Sequence, residues 1–212
     1  MLNLINLTKP NRKNIVVFLL GLFVITGCTQ ANNFWQQVTP TSAAIDTQME
    51  SAIYYRILSE VIGPQPVYVI EEESQNLCYS TEGMQNFLPE LQNDTKENFD
   101  RQQKIRRNLS EIIHPNENIY FVNEKDYQVE PSEENPCSVE KCFSLDALKI
   151  DYPNAWGIIR LSNIGFSDDG KQALVCAEIF EGGVSGTVHV ILLRKENQEW
   201  EIENQYDLFW IS

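Results

Sequence analysis

Apolar and polar positions divide the 212-residue chain into stretches of different period. Residues 15–25 (IVVFLLGLFVI) are an uninterrupted apolar run. Over residues 42–62, Ile45, Met49, Ile53, Ile57 and Val61 recur every four residues, with Ala52 and Leu58 beside them. That spacing predicts an amphipathic helix, with Thr41 or Ser42 as its cap and Gly63-Pro64 as its stop. Residues 66–70 (PVYVI) read as a buried strand ending at the acidic Glu71-Glu72-Glu73. Residues 80–115 carry a weaker helical stripe of Phe99, Ile105, Leu109, Ile112 and Ile113, closed by Pro115. A short strand is predicted over 119–122. The acidic, proline-containing stretch 123–140 reads as a surface loop. Ser144 caps a short helix through Leu145, Leu148 and Ile150, before Tyr152-Pro153.

The last 56 residues are the most regular. Strands are predicted over 157–166, 172–180, 187–195 and 200–210, with turns at 167–170, 181–186 and 196–198. Turn signals between β-rich runs predict a four-stranded antiparallel meander. The continuous Ile191, Leu192 and Leu193 mark a central strand covered on both faces, and the helix at 42–62 is the natural cover for one of them. The expected fold class is α+β. The C-terminal four-stranded antiparallel meander packs against the N-terminal amphipathic helix, after a signal peptide.

The start of the chain changes the picture from fold to location. Lys9, Arg12 and Lys13 precede the apolar run, which is too short for the roughly 20 residues of a bilayer-spanning helix. Together they fit a secretory signal peptide. The run ends in Ile25-Thr26-Gly27-Cys28, which resembles the lipobox of bacterial lipoproteins. The resemblance implies that the Cys28 thiol receives a diacylglyceryl group, that cleavage falls just before it, and that its new amine is acylated. Residues 1–27 are then a lipoprotein signal peptide, 28–40 a tether, and 41–212 a single α+β domain. Two or more acyl chains hold a protein stably at a membrane, so the expected partner is a membrane through lipid on Cys28. The expected location is the bacterial cell envelope, facing outside the cytoplasm. Thr29 resembles the outer-membrane-directed class in envelopes with two membranes.

Charge excludes some partners. The chain has 16 Lys+Arg against 30 Asp+Glu, a formal net charge of −14. Loss of residues 1–27 removes three cations and no anion, leaving −17. Such a domain repels nucleic acid and anionic headgroups, so no nucleic-acid partner is expected. An envelope protein partner stays open.

Beyond Cys28, the cysteines are Cys78, Cys137, Cys142 and Cys176. An even number outside the cytoplasm permits two disulfides in three connectivities. Cys137 and Cys142 are easy to close; Cys78 with Cys176 would then tie the N-terminal half to the sheet. Cys-x4-Cys lacks the paired knuckles of a zinc site, and no metal or cofactor is expected.

Candidate chemistry is sparse. Gly183-Val184-Ser185-Gly186-Thr187 misses the last glycine of a nucleophile elbow. Asp168-Asp169-Gly170 lacks the spaced acidic ligands of an EF-hand and suits a hairpin turn. There is no Walker A loop, dinucleotide fingerprint or H-E-x-x-H. Glu178 and Glu181, with Arg160 and Arg194, could form cross-strand ion pairs. His114 precedes a proline in a loop. His189 and Cys176 fall on adjacent predicted strands, which makes them the candidate pair for an extracytoplasmic enzyme, hydrolase or thiol-dependent.

The ordered run of 157–166, Gln172-Ala173-Leu174-Val175, Gly183-Val184-Ser185-Gly186, Leu192-Leu193-Arg194-Lys195, Trp200 and Trp210-Ile211-Ser212 is similar to a recurring family of secreted bacterial proteins with no assigned activity. Many of its members carry a Cys-Gly-x-x-Cys-Gly turn; here Glu181 and Ser185 stand at those positions. The resemblance implies an extracytoplasmic α+β module and nothing about substrate. The main expectation is therefore a lipid-anchored accessory or binding protein without a catalytic constellation. The alternatives are the Cys176/His189 enzyme and a small-ligand binder with its pocket between the helix at 42–62 and the sheet.

Overall fold

The computed structural model describes residues 47–78, 81, 83–131, 142–180 and 185–211. The proposed signal peptide, the tether and Cys28, the expected helix start with Thr41, Ser42 and Ile45, Cys137, and residues 181–184 of the expected turn 181–186 lie outside them. The fold is mixed α+β: among the described residues there are three α-helices and a mostly antiparallel sheet.

Helix α1 (Thr47–Glu60) buries Glu50, Ile53, Tyr54, Ile57 and Leu58, steps of three and four that place one stripe on the sheet. It closes where Ile62 N donates to Ile57 O and Gly63 turns left-handed at φ 81°, ahead of Pro64. Strand β1 (Tyr68–Glu71) follows. The weak helical signal of 80–115 resolves into one α-helix, α2 (Asn93–Gln102), between short 3-10 turns at Met84–Asn86 and Leu109–Glu111. Phe99 anchors α2 in the core, whereas Ile105 beyond its end is 51% exposed. Then come β2 (Ile119–Val122), the small pair β3 (Gln128–Val129) and β4 (Cys142–Phe143), and α3 (Leu145–Asp151). Ser144 caps α3, its Oγ accepting from Ala147 N at 3.2 Å.

The last strands are β5 (Ile158–Leu161), β6 (Gly165–Phe166), β7 (Gln172–Phe180), β8 (Ser185–Glu196) and β9 (Glu199–Ile211). The main sheet runs β2-β1-β5-β7-β8-β9, with β6 also on β7. β1 pairs parallel with both β2 and β5, a non-local arrangement, and the remaining pairs are antiparallel. Asn197 and Gln198, both at positive φ, form the two-residue turn between β8 and β9.

β7 and β8 are continuous apolar runs because both faces are covered. On one face Ala173, Val175, Ala177, Ile191 and Leu193 meet the buried stripe of α1. On the other, Leu174, Cys176, Val190 and Leu192 meet Cys78, Met84, Leu88, Leu91 and Phe99. Gly165 sets how close α2 can come. A Cβ built there would lie 2.5 Å from the Cα, Cβ and N of Phe99. Gly165→Ala is expected to push helix and strand apart and to destabilise the fold by about 1–3 kcal/mol, the usual range for overpacking. Urea unfolding checks this, and an unchanged midpoint would show that the helix shifts freely.

Candidate functional site

The candidate residues of the thiol-dependent reading are not brought together. Cys176 is bonded to Cys78, with their Cα atoms 6.4 Å apart, and it is fully buried. Across β7 and β8, Cys176 opposes Val190 and His189 opposes Ala177. Neighbours along a strand point to opposite faces, so His189 and the bridge sulfur lie on different sides of the sheet. His189 instead meets Asp207 on β9, Nδ1 to Oδ1 at 2.7 Å, and Gln205 Nε2 donates to the same carboxylate at 2.7 Å. Burial alone would raise the Asp207 carboxyl; the hydrogen bonds from Gln205 and His189 outweigh it and hold the carboxyl below its ordinary value.

The other sequence candidates have structural places. Cys142 is also disulfide-bonded. Ser185 opens β8 opposite Ile211, in a strand rather than a strand-to-helix elbow. Asp168-Asp169-Gly170 forms a turn in which Gly170 N donates to Ser167 O and Asp169 Oδ1 accepts from Ser167 Oγ and Lys171 N. His114 is exposed, and its carbonyl accepts from Tyr55 OH. Among the described residues, no group of three or more His, Cys, Asp or Glu could hold a metal, and no helix is long and apolar enough to cross a membrane.

A cavity of about 660 Å³ opens on the face of the sheet away from α1. Its first wall is the chain after β1. Gln75 N donates to Leu161 O, and the segment is fastened three residues later by the bridge from Cys78 to β7. Gln75, Asn76 and Leu77 therefore stand over the sheet as lining residues. The floor is Arg160 on β5, Glu178 directly opposite it on β7, and Val188 on β8; Leu208 on β9 and Glu124 from the turn after β2 complete it.

Arg160 organises the polar end. Its Nη1 donates to Glu178 Oε2 at 2.9 Å, and its Nε to Glu124 Oε2 at 3.1 Å, with Nη2 also on Glu124. The guanidinium lies 4.1 Å from the Phe180 ring centroid. Burial works against its charge, but Glu124 and Glu178 outweigh that and raise its affinity for the proton. Behind Glu124, its backbone N–H donates to Glu71 Oε2 at 2.8 Å, and burial pushes the Glu71 carboxyl up. Asn76 Oδ1 is buried with no hydrogen-bond partner.

These features suit binding: a half-open concave volume, an apolar side of Leu77, Val188 and Leu208, and a polar end held by ion pairs. The Arg160–Glu178 pair is the one component with a sequence signal, as a cross-strand ion pair. The cavity itself has none, because its walls come from six separate stretches of chain. No protein-family model, curated protein or solved structure matches the chain.

Proposed function

We propose that this chain is a lipid-anchored binding protein of the bacterial cell envelope, held by Cys28, which takes a small ligand in the cavity on the second face of the sheet. The cavity is the observation that carries the reading. The Cys78–Cys176 bridge supports the location, since such bridges persist in oxidising compartments outside the cytoplasm. It also removes the thiol that the Cys176/His189 enzyme would need.

Two measurements test the reading. The intact mass of the protein from its native membrane is expected to begin at Cys28 and include lipid, with thiols alkylated only after reduction. A lipid-free mass retaining residues 1–27 would sink the anchor. For the cavity, a fragment set of mixed charge is expected to shift the methyl signals of Leu77, Val188 and Leu208. Leu208→Trp, at a position 42% exposed and so tolerant of size, is expected to block those shifts by filling the mouth. Shifts that persist in this variant would place binding elsewhere.

A further inference from the structure

We infer that β9 is a strand-addition site: an extended, basic segment of a partner protein pairs with its free edge and places an apolar side chain at the cavity. The inference rests on the cavity being a binding site and identifies what it receives as a side chain carried on polypeptide. Among the described residues, β9 ends the sheet. Hydrogen bonds two strands away show which of its backbone groups are turned outward. Cys176 faces away from β8, its N–H donating to Ser162 Oγ and its carbonyl accepting from Ser162 N. Its register partner Val190 therefore bonds to β9, opposite Tyr206. By alternation, the backbone groups of Tyr206, Leu208 and Trp210 face β8, and the N–H and C=O of Asp207, Phe209 and Ile211 face outward. Gln205 agrees with this phase, because its N–H donates outside the ladder, to Asn204 Oδ1 at 2.8 Å. The usual guards of an edge are missing here. The register runs unbroken from Asn204 to Ile211, a stretch with no glycine, proline, lysine or arginine. Its single charge, Asp207, is drawn back onto β8 by His189.

The cavity opens at this edge. Its floor is one cross-strand row, Arg160, Glu178, Val188 and Leu208, in register from β5 to β9. A strand added beside β9 extends that row by one position, about 4.8 Å beyond Leu208. A side chain at that position meets the apolar side of the cavity, and Tyr206, stacked on Phe87 at 4.3 Å, stands beside it on the same face. Main-chain hydrogen bonds then supply affinity, and the cavity selects the side chain. Charge favours a foreign segment over a second copy. Strand β9 carries Glu199, Glu201, Glu203 and Asp207 and no Lys or Arg, in a chain of net charge −14. Pairing β9 with its own copy would set like charges together, whereas a basic segment is attracted.

The test adds acetylated, amidated nonapeptides KTVTXTVTK, with Leu, Phe or Trp at X, to the lipidated full chain in detergent. Hydrogen exchange of the β9 amides and the methyl signals of Leu77, Val188 and Leu208 are followed. In the free protein the amides of Asp207, Phe209 and Ile211 are expected to exchange fast, and those of Tyr206, Leu208 and Trp210 slowly. A peptide is expected to slow the first set about tenfold or more and to shift the methyls. Of two versions N-methylated at alternate residues, the one blocked on the pairing edge is expected to bind about tenfold more weakly. ETVTXTVTE is expected to bind more weakly than KTVTXTVTK; equal or tighter binding would overturn the basic class. Methyl shifts without slowed exchange would overturn strand addition and leave the cavity as a binding site. Silent peptides, where the mixed-charge fragments still shift the methyls, would do the same. Slowed exchange that needs no peptide and grows with protein concentration would put a second copy on the edge and overturn the foreign partner. Silence from peptides and fragments alike would overturn both readings.

Discussion

Replacing both Cys78 and Cys176 with alanine is expected to cost the folded state about 4–5 kcal/mol. The bridge closes a sequence separation of 98 residues, and in the chain-entropy account a loop of that length restricts the unfolded ensemble by about this much. For a chain of this size the loss corresponds to a thermal midpoint roughly 10–15 °C lower. Part of the effect is native. Both cysteines are buried in the second-face cluster with Leu88, Leu174 and Val190, and the alanines leave unfilled space there. The bridge also holds Gln75, Asn76 and Leu77 over the sheet, so its loss is expected to weaken the proposed ligand binding in the cavity beyond the change in stability. Thermal unfolding of the wild type with and without reductant, beside the double variant, gives the measurement. Midpoints that coincide under all three conditions would show that packing alone holds the segment.

Local signals in the sequence were readable where local physics decides the outcome. Gly63-Pro64 ends α1 because glycine tolerates the left-handed turn and proline cannot continue the helix. The continuous Ile191, Leu192 and Leu193 announce a strand covered twice, and they are. The stripe on α1 was readable but displaced. Steps of four overshoot the helical period of 3.6, so the Ile45–Val61 stripe drifts around the axis over its described part, Met49 to Val61. Both ends are half-buried, and Glu50 and Tyr54 enter the core instead. What depends on distant partners was not readable. The parallel pairing of β1 with β2 and β5 joins four-residue strands whose register no local pattern specifies. Cys176 and His189 looked close because their strands are neighbours, but only the register, Cys176 against Val190, shows that they face opposite sides. The cavity is the extreme case: Asn76 and Leu77 become wall residues through a bridge that the sequence left as one of three connectivities.

Glu50 belongs to the same class, and its partner carries the second large effect. Arg107→Met is expected to destabilise the protein by about 3–5 kcal/mol, the usual cost of stranding one member of a buried ion pair. Glu50 is 0% exposed on the sheet-facing stripe of α1. Arg107 holds it in a fork, Nη1 to Oε1 at 2.5 Å and Nη2 to Oε2 at 2.8 Å. The hydrogen bond to Glu50 is the main cause that raises the Arg107 guanidinium above its ordinary value. Tyr54 lies in the same pocket of charge: burial first, and Glu50 next, push its phenol up, and its OH donates to Ser162 O at 2.9 Å. The pair is asymmetric, because the Arg107 side chain keeps 24% of its surface in water and Glu50 keeps none. Glu50→Leu should therefore cost clearly less than Arg107→Met, since a freed guanidinium can turn to solvent whereas a freed carboxylate cannot. The combined Glu50→Leu, Arg107→Met variant should recover most of the loss, because an apolar pair of similar volume leaves no buried charge. Urea unfolding of the three variants closes the cycle. Single losses that are equal and simply add in the double variant would mean that the two residues act independently, and that α1 is held to the sheet by Ile53, Ile57 and Leu58 without help from the fork.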